Sequence, residues 1–158
     1  MDFFNCLDGL TPREAKILEA ARKVFAKHLR RSRIDVLDSP GAVRDYLRFS
    51  LGLQQRECFH VTFLNAQNRI IDDEVMFTGT LTQTSVYPRE IVKAALARNA
   101  AAVLLSHNHP SGVAEPSQAD RLITDQLKRA LLLVDVKVLD HFIVAGDQTI
   151  SFCERGLI

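Results

Sequence analysis

The sequence predicts an α/β domain: a mixed β-sheet flanked by helices, preceded by an N-terminal helical lead. Three observations carry this. Periodic segments follow one another in the order helix, helix, strand, strand, helix, strand, helix, strand, strand, which suits a mixed sheet covered by helices. One of them, AAVLLSH, is a short apolar run closed by a turn signal, and so reads as a buried strand. The chain of 158 residues is long enough for one core and short for two of ordinary size.

In order, TPREAKILEAARKVFAKHLRR opens with Thr11 as a cap, Pro12 at the first helical position and Glu14 where a capping box places its acid. Ile17, Ala21, Val24, Phe25 and His28 recur at helical spacing and share a face. Lys16, Lys23, Lys27 and Arg30 fall opposite, as the solvated face of an amphipathic helix. A boundary near Ser39 separates this lead, residues 1–38, from a compact unit at 39–158. Ser39 as cap and Pro40 in the first turn start a second helix near residues 41–51. ECFHVTFLNAQNRIIDDEVMFTGTL alternates and branches like two antiparallel strands turning at Asn65–Asn68. A third helix follows Pro88 with Glu90 in its first turn, and a fourth follows Ser117. The tail, VDVKVLDHFIVAGDQTISF, reads as two strands joined at Ala145–Gln148.

Composition excludes several classes. With 47% hydrophobic and 25% charged residues, 7 Gly and 5 Pro, the chain is neither disordered nor collagen-like. No apolar run approaches the roughly 18 residues of a membrane span, and MDFFNCLDGL lacks the basic start and apolar segment of a signal peptide, so a cytoplasmic address without membrane partners is expected. Cys6, Cys58 and Cys153 are odd in number and form no CxxC pair, which predicts reduced cysteines acting as small apolar residues. Net charge is only +1, yet the stretch from Thr11 to Arg33 holds eight basic residues against Glu14 and Glu19. A phosphate-binding stripe on that helix has no aromatic interleaving or glycine hairpin to support it.

The chemistry concentrates in SHNHPSGVAEPSQAD, residues 106–120. His107 and His109 stand two apart at a strand end and point to the same side, so both can reach one ion. Zinc takes nitrogen and oxygen ligands at about 2.0–2.2 Å, and a catalytic zinc keeps three protein ligands and an open position. Asp120, in the first turn of the following helix, suits as the third. Pro110 stops the strand, Gly112 turns the chain and Pro116 stiffens its return. A structural reading stands beside this one: Ser117 and Asp120 also spell a capping box, and the histidines are polar residues at a strand end. That reading gives no reason for two histidines on one side of a buried strand facing a helix-start acid.

His107, His109, Pro110, Ser117 and Asp120 fit the pattern H-x-H-P-x6-S-x2-D, and so the chain resembles the JAMM (MPN+) zinc metalloproteases. The wider text, GTLTQTSVYPREIVKAALARNAAAVLLSHNHPSG and DHFIVAG, is similar to the RadC-like branch of that family, over about Ser39–Ile158. The resemblance implies a JAB/MPN sheet architecture related to the cytidine deaminases, with zinc held by His107, His109, Asp120 and a water. It also implies a glutamate near the start of an early strand as general base. Glu57 stands at that position; Glu74, Glu90 and Glu115 compete for the role, and Glu57 as an exposed strand-edge acid is the alternative. Ser117 would donate to the developing oxyanion in addition to capping. Asp140 and His141 recur in the branch and would suit a partner orienting a zinc ligand, or a structural role at a strand start.

The implied activity is hydrolysis of an amide or isopeptide bond in a peptide or protein, a ubiquitin-like tail included. Specificity would lie in the loops after Ala66, around Thr84 and around Val113. A zinc deaminase would need H-x-E with P-C-x-x-C, whereas the residue two after His107 is His109. The string His107-Asn108-His109 is not an HNH nuclease, whose residues are dispersed. The alternative from another class is a non-catalytic module associated with DNA repair or with a partner. Longer RadC-like members carry a helix-hairpin-helix segment, and no glycine-bearing hairpin precedes the zinc pattern here.

Overall fold

In a computed structural model, residues 10–31, 36, 38–52, 54–79 and 85–158 are described; Cys6, Arg33, Thr84 and the side chain of Arg30 lie outside that set. The described elements are α1 (Pro12–Arg31), α2 (Pro40–Leu51), β1 (Cys58–Leu64), β2 (Ile70–Thr78), α3 (Pro88–Ala97), β3 (Ala102–Asn108), α4 (Gln118–Leu132), β4 (Lys137–Ala145) and β5 (Gln148–Ser151). Their order is the one read from the sequence. The strands form one sheet in the order β2-β1-β3-β4-β5, with β3 and β4 parallel and every other neighbour antiparallel.

The mixed pairing follows from the connections. Asn65–Asn68 is a tight turn, with Asn68 at a φ of 52° and its N–H donating to the Asn65 carbonyl at 3.0 Å, so β1 and β2 form a hairpin. Between β3 and β4 the chain runs back through α4, as a parallel pair requires. All seven residues of β1 and of β3 are buried, because helices cover both faces of the sheet centre.

Period-2 alternation sorts the strands between two cores. Phe59, Val61, Phe63, Val103 and Leu105 join Ile91, Leu127 and Leu131 on the α3/α4 side. Cys58, Leu64, Leu104, Phe142 and Val144 join Val43, Leu47 and Leu51 on the α2 side. His107 and Ser106 are consecutive, and so serve opposite faces.

α1 corrects one expectation. Ile17 and Val24 are 59% and 68% exposed, and Ala21 and His28 are exposed beside them. The face turned inward carries Ala15, Glu19 and Ala26, with Arg22 and Phe25 half-buried. Periodicity identified a stripe, but the buried side is held by ions: Arg22 bonds Asp73 of β2 at 3.1 Å and Glu19 at 3.0 Å. Lys16, Lys23 and Lys27 are exposed on a flank of the helix. At the N-terminus, Thr11 and Glu14 form the reciprocal pair of a capping box, 2.8 and 3.3 Å. Ser39 occupies the cap position of α2 without a side-chain cap bond, contrary to the sequence reading. Cys58 is buried, as expected of a small apolar residue, whereas Cys153 is exposed; neither forms a disulfide among the described residues.

Candidate metal centre

The site forms where β3 ends. His107 closes the strand on the α4 face, and His109 follows one residue beyond it, its N–H still donating to the Val144 carbonyl of β4 at 2.8 Å. Gly112, with φ +79°, donates back to the His109 carbonyl at 3.1 Å and closes the turn through Pro110. The loop returns to Ser117, whose side chain caps α4: its oxygen accepts from the Asp120 N–H at 3.1 Å. Reciprocally, the Asp120 carboxylate accepts from the Ser117 N–H at 2.8 Å and from its hydroxyl at 2.6 Å. The cap aims the carboxylate rather than competing with the site.

His107 Nε2 lies 3.1 Å from one Asp120 carboxylate oxygen, His109 Nε2 lies 3.4 Å from the other, and the two Nε2 atoms are 2.9 Å apart. One ligand atom from each residue falls within 4.8 Å of the others, and no other such group of three occurs among the described residues. His107 is buried, while the His109 and Asp120 side chains keep 15% and 12% exposure, which leaves the cluster open on one side.

The donor chemistry suits a cation. His109 Nδ1 donates to the Val113 carbonyl at 2.7 Å, so in the neutral ring Nε2 offers a lone pair toward His107 and Asp120. Tetrahedral ligands bound at 2.0–2.1 Å lie about 3.3 Å from one another, close to the three separations found. Burial pushes the Asp120 carboxyl upward, but in the metal-free cluster bonds from the protonated rings of His107 and His109 outweigh it and hold it well below the usual carboxylate range. The bond to Asp120 in turn raises His109, against its burial, and the charge of Glu57 adds to the rise.

Glu57 immediately precedes β1 and is half-buried, its carbonyl accepting from the Gly79 N–H at 2.8 Å. Phe59 pairs with His107 across the antiparallel ladder, so continuing the register two residues sets Glu57 opposite His109. The competing acids are engaged elsewhere: Glu74 with Arg98 at 2.6 Å, Glu90 with Lys93 at 3.0 Å, and Glu115 with Arg155 at 2.6 Å. Asp140 points away from the cluster, accepting from the backbone N–H groups of His141 and Cys153 and from the Ser151 hydroxyl, which ties β4 to β5. Burial raises its pKa, the bond from Ser151 notwithstanding.

Its neighbour His141 does reach the site, with Nε2 at 2.8 Å from His107 Nδ1. Adjacent strand residues face opposite sides, so the pair read from sequence as a unit divides its roles. Full burial, and next the charge that a protonated His107 would place beside it, lower the His141 pKa well below the ordinary imidazole value. Thr124 of α4, at 2.6 Å from His141 Nδ1, was not singled out in the sequence. Its one signal is spacing: four residues after Asp120, it lies on the same helix face.

A mixed sheet with a His-His-Asp cluster at the end of a parallel strand, facing a helix start, defines a JAB/MPN-type α/β domain. A family model described as RadC-like JAB domain matches residues 37–157, and the chain belongs to that family. It is 54% identical over 159 residues to a UPF0758 protein of Nitrosomonas eutropha, covering 98% of this chain and 70% of that one. UPF0758 proteins of Thiobacillus denitrificans and Dechloromonas aromatica are 60% and 63% identical over 89% and 78% of this chain. The chain spans 62% and 55% of the lengths of those two relatives. Among the described residues no helix is long and apolar enough to cross a membrane.

Proposed function

We propose that this domain is a zinc-dependent hydrolase that cleaves an amide or isopeptide bond in a peptide or protein substrate. The observation that carries the reading is the meeting of His107, His109 and Asp120, with all three separations between 2.9 and 3.4 Å. These three residues would hold the ion. The chemistry such an ion supplies is Lewis acidity, which brings the pKa of water from about 15.7 to about 7 and polarises a carbonyl.

The chain's own residues do the rest. Glu57, whose charge is felt at His109, is the general base: its carboxylate takes the proton of the attacking water and returns it to the leaving nitrogen as the carbon–nitrogen bond breaks. Ser117 first fixes Asp120 through the cap, and by rotating its hydroxyl out of that bond becomes a donor to the developing oxyanion. Phe59, stacked on His107 with ring centroids 6.1 Å apart, excludes water from the inner side of the cluster. Glu57→Gln tests the assignment. The variant should bind zinc as the wild type does and lose hydrolysis of a peptide-library substrate by at least a hundredfold. Retained hydrolysis would reassign the base.

A further inference from the structure

Two carbonyl oxygens, which can only accept, fix the direction of every hydrogen bond behind the site. The Thr124 hydroxyl lies 2.5 Å from the backbone carbonyl of Asp120 and must donate to it. Its single proton thus committed, Thr124 Oγ1 accepts from His141 Nδ1–H at 2.6 Å. Fully buried, with a hydroxyl at one ring nitrogen and an imidazole at the other, His141 has no acid there to hold a second proton, so its Nε2 is the acceptor and the bond at 2.8 Å runs from His107 Nδ1–H to His141 Nε2. The consequence falls on the other side of the His107 ring: in the neutral imidazole that a metal ligand must be, Nε2 carries no proton and presents a lone pair toward His109 and Asp120. His109 reaches the same state independently, through Nδ1–H to the Val113 carbonyl.

We infer that Thr124 and His141 are positioning residues that lock His107 in its Nδ1–H tautomer and couple it to the backbone of the helix carrying Asp120. The chain of bonds joins the metal-facing groups of β3 and α4 by a second route, besides the direct contact of His107 with Asp120. Thr124 is 1% exposed and His141 fully buried, so no water can substitute for either partner. Polar groups held this way cost desolvation and are retained only if satisfied; here each finds its partner within the relay. The inference rests on reading His107 as a metal ligand.

Two measurements test it. In metal-free wild-type protein at a pH where both rings are neutral, long-range proton–nitrogen NMR should find His107 and His141 as Nδ1–H tautomers; an Nε2–H tautomer of neutral His107 would overturn the inference with no variant needed. In chelator competition with zinc, Thr124→Val should weaken affinity ten- to hundredfold, and Thr124→Ser should restore it to within about threefold of wild type. A folded Thr124→Val that binds zinc within twofold of wild type also overturns it. If wild type binds no zinc, the hydrolase reading fails, whereas the tautomer result still decides the relay.

Discussion

The two faces of the sheet each bury an aspartate beside a histidine and a hydroxyl, and they do opposite things with it. On the α1/α2 face, Asp73 receives Arg22 at 3.1 Å, His60 at 3.3 Å and the Tyr46 hydroxyl in a short bond, while Ser106 lies 3.1 Å from the other nitrogen of His60. On the α4 face, among the described residues, the Asp120 carboxylate has His107, His109 and Ser117 as partners. The first cluster contains its own permanent cation and is closed. The second has an acid and two converging imidazoles, with one side open, a set that could hold a cation from outside. A buried histidine next to an aspartate therefore says little by itself; what distinguishes structure from site is whether a guanidinium completes the set.

The largest effect should come from breaking the closed cluster. Arg22→Met leaves Asp73 buried without its cation and should cost about 3–5 kcal/mol in denaturant unfolding, while leaving zinc affinity at the wild-type level. On the open face a cation held as proposed would be exchangeable. Zinc at about 100 times its dissociation constant should raise unfolding stability by about 2.7 kcal/mol, equally in wild type and Arg22→Met, and by nothing in Asp120→Ala.

The closed cluster also predicts a pH dependence. Burial alone would raise Asp73, yet the bond to His60 and the Tyr46 and Arg22 partners hold it well below the ordinary carboxylate range. An acid depressed in the fold stabilises above its unfolded pKa, near 3.9, and that stability is lost as pH falls through the folded value. The stability difference between wild type and Asp73→Asn, about 2 kcal/mol at neutral pH, should hold above about pH 5 and shrink below about pH 4. A difference that stayed constant to pH 3 would remove the ionised carboxylate from the account. Smallest is Ser117→Ala: loss of the cap should cost about 1 kcal/mol and weaken zinc binding, whereas Ser106→Ala on the other face should leave zinc binding unchanged.

These differences were unequally legible in the sequence. The spacing of His107, His109 and Asp120 was readable because a strand end, one loop and one helix start bring the three together with little long-range folding. Glu57 lies fifty residues earlier in the chain, and without register nothing but a family pattern marks it among the acids. The α1 stripe was readable as a stripe, but Ile17 and Val24 face outward because Arg22 and Glu19 claim the sheet side, and amphipathic periodicity carries no arrow. Thr124 looks like any helical threonine. Its role depends on a strand seventeen residues further along folding back beside it.

Metal analysis of protein purified without chelator tests the central claim most directly, with Asp120→Ala prepared in parallel. About one zinc per chain in the wild type and none in the folded variant is the predicted result. A wild type that folds, binds no divalent ion on titration with zinc, and loses nothing when Asp120 is truncated would contradict it.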